Sequence, residues 1–155
     1  MFEGVVKKLT DLGKTISFME SCTGGMLSNA ITNVSGSSLV FKFGAVTYSN
    51  DFKVKMGVPA SDIFAYTVYS REVALDMARS ILKFTSSDYG VGVTGHLGSI
   101  DPNNLSGNIN EVFVGICTRD EEYVYSINVS SCDRCLQKKE VLKFVCDRLL
   151  EVLDA

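Results

Sequence analysis

Segments of strand period and segments of helix period alternate along the whole chain, which restricts its possible folds more than any other feature does. Phe2, Val5, Leu9 and Leu12 recur at helical spacing, and Gly13 supplies a stop. Thr15 to Met19 reads as a short buried strand, Glu20 to Gly25 as a turn, and Gly25 to Thr32 as a helix. Asn33 to Ser38 is polar and breaks that helix. Phe43 to Tyr48 reads as a second strand, and Asn50 or Asp51 as the cap of a helix that ends near Gly57-Val58-Pro59. Ser70 suits the cap of a helix carrying Val73, Ala74, Met77, Ala78 and Ile81 on one face. Tyr89 to Thr94 is a glycine-rich third strand. Ser99 to Asn110, with Pro102, Gly107 and four asparagines, is expected to be a mobile loop. Glu111 to Thr118 and Glu122 to Val129 read as a hairpin, and Asp133 to Leu153 as a last helix with Val141, Val145, Leu149 and Val152 inward. Alternation of this kind favours a layered α/β domain, and the late hairpin makes its sheet mixed.

The 155 residues suffice for one domain, 1–155, with a sizeable core. Fifteen basic residues stand against 18 acidic ones, a net charge of −3, so no general attraction to nucleic acid or to an anionic membrane surface is expected. A single histidine excludes metal sites that need several imidazoles from one chain. No apolar run approaches the ~20 residues that span a bilayer, and Lys7 and Lys8 stand where the apolar run of a signal peptide would lie. The cytoplasm is the expected compartment. There the five cysteines, an odd number without scaffold spacing, are expected as free thiols, Cys132-x-x-Cys135 included.

Three strand ends carry candidate chemistry. Ser21-Cys22-Thr23-Gly24-Gly25 places hydroxyls, a thiol and two glycines between a strand and a helix. Glycines admit a ligand close to the backbone, and helix N-terminal N–H groups can hold a phosphate or an oxyanion. The plain alternative is a polar turn, with Cys22 a small buried hydrophobe. In Thr47-Tyr48-Ser49-Asn50-Asp51-Phe52-Lys53, a helix starting at Asn50 would carry Lys53 one turn in, able to point back over the strand edge. A serine nucleophile needs a proton acceptor, and lysine is the alternative to the one imidazole. Tyr48 could position the proton; equally, Lys53 could be an ordinary solvated helix residue. Thr94-Gly95-His96 closes the third strand in a manner suited to a small ligand, with His96 read as a loop histidine. Arg134 and Lys138, four apart, share a helix face and could grip a phosphate or carboxylate beside a capping Asp133.

Glu20-Ser21-Cys22-Thr23-Gly24-Gly25, Val34-Ser35-Gly36-Ser37-Ser38, Val46-Thr47-Tyr48-Ser49-Asn50-Asp51-Phe52-Lys53 and Tyr89-Gly90-Val91-Gly92-Val93-Thr94-Gly95 together resemble the CinA C-terminal domain (competence-damage-inducible) family of nicotinamide mononucleotide deamidases. The resemblance implies a three-layer α/β/α sandwich with a mixed, mostly parallel sheet. It implies an amidohydrolase of pyridine-nucleotide salvage, turning nicotinamide mononucleotide and water into nicotinate mononucleotide and ammonia with neither cofactor nor metal. Ser21 takes the place of the nucleophile, Lys53 of its partner and Tyr48 of the accompanying tyrosine. Thr23, Gly24, Gly25, Asn50, Thr94, Gly95, Arg134 and Lys138 take the substrate-binding places. A homodimer or larger homo-oligomer is implied as well. The chain departs from the family pattern at His96-Leu97-Gly98-Ser99, at Thr67-Val68-Tyr69 and at Cys132. Those departures leave open a catalytically impaired nucleotide-binding or regulatory module of the same fold, or an esterase or amidase of another small substrate.

Overall fold

The first strand, β1 (Ile16–Glu20), is buried along its whole length, as happens when both faces of a sheet are covered. In the computed structural model, which describes residues 1–98, 102–103, 105 and 107–155, β1 is the second strand of a five-stranded sheet of order β2-β1-β3-β4-β5. The other strands are β2 (Phe41–Val46), β3 (Tyr89–Gly95), β4 (Glu111–Cys117) and β5 (Glu122–Asn128). β2, β1 and β3 run parallel, β4 opposes β3, and β5 opposes β4. Four of the five strands therefore point one way, and the sheet is mixed and mostly parallel, as expected.

One face carries α1 (Glu3–Leu12), α2 (Met26–Thr32) and α6 (Arg134–Asp154). Phe2, Val5 and Leu9 meet Ile16 and Phe18 there, along with Val141, Val145, Leu149 and Val152. The Phe18 ring lies edge-on to Phe2 at 6.3 Å and tilted against Phe41 at 5.2 Å; burying one such ring contributes ~1.5–3 kcal/mol. The opposite face carries α3 (Asn50–Lys55), α4 (Ala60–Tyr66) and α5 (Arg71–Thr85). Its smaller core gathers Met19, Val58, Val68, Val73, Met77 and Ile81. Among the described residues, no helix is long and apolar enough to cross a membrane.

The glycines of the third strand have a packing reason. A Cβ on Gly90 would lie 2.4 Å from the Ala78 carbonyl, one on Gly92 2.3 Å from that of Ala74, and one on Gly115 of β4 2.5 Å from Ala74 again. α5 rests directly on strand backbone. Ser70 caps that helix, its Oγ accepting from the Val73 amide at 3.2 Å, as its sequence suggests.

Several expectations are corrected. β2 begins at Phe41 rather than Phe43 and ends at Val46 rather than Tyr48, because an irregularity in its register opposite Ile16 and Ser17 blurs the alternation. Ser49, not Asn50 or Asp51, caps α3. α4 was not anticipated: none of its residues is buried, so its sequence shows no apolar stripe. The loop expected at Ser99 to Asn110 falls partly outside the described residues.

The chain leaves β1 toward α2 on one face and leaves β2 toward α3 on the other. Such a divergence opens a crevice at the carboxyl ends of the strands.

Candidate functional site

Two side chains from the divergent junctions meet in that crevice. Ser21 follows β1 directly, its amide donating to the Val93 carbonyl at 2.9 Å and so holding it to β3. Lys53 lies in the second half of α3, whose first turn is closed by Ser49 Oγ accepting from the Phe52 amide at 3.3 Å. Lys53 is 1% exposed and Ser21 8%. Lys53 Nζ lies 3.0 Å from Ser21 Oγ and 2.7 Å from the Thr47 carbonyl oxygen. The lysine is therefore an interior group, not a solvated helix residue. In the ammonium form it donates to Ser21; in the free amine form the same contact lets Nζ accept the serine proton.

Cys22, beside the serine, is 3% exposed. Burial pushes its thiol up to about 12, against a smaller opposing pull from the Lys53 charge. A thiol held this high is protonated at neutral pH.

A cavity of about 540 Å³ opens over the pair, within the size range of small-molecule sites. Ser21, Lys53, Tyr48, Asn50, Gly95 and Arg134 all line it, as does Asp51. Arg134, the first residue of α6, donates from Nη1 to the Leu97 carbonyl at 2.8 Å and from Nη2 to the Tyr48 hydroxyl at 3.1 Å. It thereby joins three chain segments at the rim. Asp133 caps α6 behind it, Oδ1 accepting from the Leu136 amide at 2.9 Å. One turn further on, Lys138 Nζ stands over Gly24, 3.2 Å from where a Cβ would be.

The remaining sequence-predicted residues serve the frame. Thr23 is 1% exposed, and its hydroxyl donates to Glu20 at 2.7 Å. The Gly24 amide donates to the Ser21 carbonyl at 3.1 Å, and the Gly25 amide to Glu20 at 3.2 Å. Thr94 donates its hydroxyl proton to the Val68 carbonyl at 2.7 Å, tying one cavity wall to the sheet. That wall holds Val68 and Tyr69, which the sequence marks only as departures from the family pattern and not as site residues. His96, expected as a loop histidine, is 4% exposed and stacks on Tyr69 at 4.7 Å with 9° between ring planes. Glu20 also escaped the sequence reading. Read from sequence as the first residue of the turn, it is instead the last residue of β1 and wholly buried.

These features define an α/β/α domain with a buried serine–lysine pair at the divergence of two strand ends. Comparison with known families matches residues 1–153 to the CinA C-terminal domain. The chain belongs to that family. It is 37% identical over 129 residues to a CinA-like protein of Endomicrobium trichonymphae, an alignment covering 83% of this chain and 30% of the relative. It is 33% identical over 142 residues to a CinA-like protein of Prochlorococcus marinus, covering 81% and 33%. The chain thus spans about a third of the length of the curated relatives it matches. Among solved structures it resembles the competence/damage inducible protein CihA of Agrobacterium tumefaciens, with TM-score 0.86 and 26% identity over 97% of this chain and 92% of that one. It resembles the competence or damage-inducible protein of Enterobacter asburiae in fold, with TM-score 0.89 and 24% identity over 97% and 94% of the two chains.

Proposed function

We propose that this protein is an amidohydrolase that deamidates nicotinamide mononucleotide through a Ser21–Lys53 pair. The observation that carries the reading is the 3.0 Å separation of Lys53 Nζ from Ser21 Oγ at the floor of the cavity. Family membership and the intact Ser21 and Lys53 segments support it.

An amine is a base only in its neutral form, and withdrawal from water favours that form. Neutral Lys53 takes the Ser21 proton as Oγ attacks the carboxamide carbon. Negative charge develops on the carboxamide oxygen. The amides of Cys22 and Thr23, in the same turn as Ser21, are the donors assigned to it. Lys53 returns its proton to the departing nitrogen, ammonia leaves, and an ester links Ser21 to the nicotinoyl carbon. Water then attacks that ester with Lys53 again as base, which frees the carboxylate and restores the serine. Arg134 and Lys138 offer the single phosphate of a mononucleotide a local pair of cations on an otherwise acidic chain.

The test is ammonia release from nicotinamide mononucleotide by the purified protein, with Ser21→Ala and Lys53→Ala in parallel. Release by the wild type alone is expected. Release by both variants overturns the mechanism, and calorimetric binding of the nucleotide without any release assigns the chain to a binding or regulatory role instead.

A further inference from the structure

A buried carboxylate needs compensation, because moving an ionised acid out of water costs several kcal/mol unless its lone pairs are filled. Glu20 is 0% exposed, and its two oxygens receive five hydrogen bonds. Oε2 accepts from the Thr23 hydroxyl at 2.7 Å, the Leu27 amide at 3.0 Å and the Gly25 amide at 3.2 Å. Oε1 accepts from both the amide and the hydroxyl of Ser28 at 2.9 Å. Among the described residues, no cation forms a salt bridge with it. Its charge is balanced by the first turn of α2, whose own N-cap residue, Gly25, has no side chain to do so.

A helix of seven residues could be capped by a serine or aspartate at its own start. Here the cap reaches in from the residue before Ser21 and binds residues 20 to 28 into one rigid unit. We propose that Glu20 is the positioning residue of the Ser21 turn, fixing where the hydroxyl sits. The inference rests on the Ser21–Lys53 reading above. Charges from three elements bear on this turn: burial and Glu20 of β1 push the Cys22 thiol up, while Lys53 of α3 and Lys138 of α6 draw it down. One consequence concerns the ligand. With the amides of Gly25, Leu27 and Ser28 spent on Glu20, the start of α2 is closed to the substrate phosphate, which is left to Arg134 and Lys138.

Glu20→Gln keeps the shape, removes the charge and turns an amide group against backbone donors. If the variant folds with the thermal transition of a native chain, kcat for nicotinamide mononucleotide is expected to fall about 10²-fold with KM within about threefold, the scale of a 1 Å misplacement. A merely structural role would lower the thermal transition without splitting kcat from KM. Wild-type kcat overturns the proposal. If Glu20→Gln fails to fold, Thr23→Val removes one of the five bonds and keeps the charge; an unchanged kcat there overturns it equally. Labelling of Ser21 by a fluorophosphonate, followed by intact mass, needs no substrate and separates this inference from the function assigned above. A wild type that labels but releases no ammonia refutes the nicotinamide mononucleotide reading alone, and labelling of Glu20→Gln at the wild-type rate refutes the role of Glu20. Absence of both labelling and ammonia in the wild type refutes both.

Discussion

Lys53 Nζ and Ser21 Oγ, 32 residues apart in sequence, stand 3.0 Å apart in the interior of the domain. A lysine brought inside at 1% exposure gives up most of its hydration, and ordinary packing offers nothing in return that an apolar residue would not give more cheaply. If the two groups act as one unit, removing either removes the covalent route. Ser21→Ala and Lys53→Ala are each expected to lower kcat by about 10³-fold or more, and the double variant to be no slower than the worse single one. Steady-state ammonia release checks this; losses that multiply would show independent roles.

The thiols sort by burial. Cys132 and Cys135 are exposed, while Cys22, Cys117 and Cys146 are buried, and burial pushes the Cys22 and Cys117 thiols up to about 12. At neutral pH, alkylation followed by mass spectrometry is expected to modify Cys132 and Cys135 first and to spare Cys22 and Cys117. The same shifts act on stability. An unfolded thiol ionises near 9 and the folded one near 12, so the unfolded chain holds fewer protons in between, and stability falls as pH rises through that window. Cys22→Ala and Cys117→Ala are expected to flatten the decline of the melting temperature between about pH 9 and 12 relative to the wild type. An unchanged slope would mean that these thiols titrate alike in both states.

The sequence exposes the parts of this fold that rest on periodic burial. Val73, Ala74, Met77, Ala78 and Ile81 of α5 and the Val141–Val152 stripe of α6 are buried where their spacing predicts. The Ser21 and Lys53 segments are legible for a different reason, as strand-to-helix junctions of distinctive composition. What escapes reading depends on contacts between distant segments. α4 has no buried stripe to betray it. Glu20 is explained only by backbone and hydroxyl donors three to eight residues later. His96 becomes a wall residue only because Tyr69 comes to lie flat against it.

Arg134 is held in place before any ligand arrives, with one nitrogen on the Leu97 carbonyl and another on the Tyr48 hydroxyl. A guanidinium, with five N–H donors in a fixed plane, can keep both contacts and still present an N–H edge to phosphate; an ammonium has only three donors and no such fork. Arg134→Ala is expected to raise KM for nicotinamide mononucleotide by about tenfold or more, with kcat little changed, on the scale of one charge-assisted hydrogen bond. Arg134→Lys is expected to recover only part of this. Nicotinamide riboside, which lacks the phosphate, supplies the control. Its kcat/KM is expected to be indifferent to the substitution, and an equal loss for both compounds would remove the phosphate from the account of Arg134.

Gly92 links the packing of the sheet to the shape of the cavity. A methyl group there would stand 2.3 Å from the Ala74 carbonyl and 2.6 Å from the Met77 Cβ, and backbone cannot yield as a flexible side chain does. Gly92→Ala must therefore lift α5 from β3, at a cost of about 1–3 kcal/mol by chemical denaturation. Gly4→Ala in α1 meets only Leu150 side-chain carbons, the nearest at 3.4 Å, and is expected to be neutral or to stabilise by up to about 1 kcal/mol through helix propensity. The displacement also reaches the site. Val68 and Tyr69 stand just before Ser70, the cap of α5, and the Thr94 hydroxyl pins the Val68 carbonyl from the neighbouring stretch of β3. An α5 raised off β3 pulls on that tie, so Gly92→Ala is expected to raise KM as well as to lower stability, while Gly4→Ala leaves KM unchanged. A Gly92→Ala protein that is destabilised yet keeps the wild-type KM would show that the wall is held by Thr94 alone and does not follow the helix.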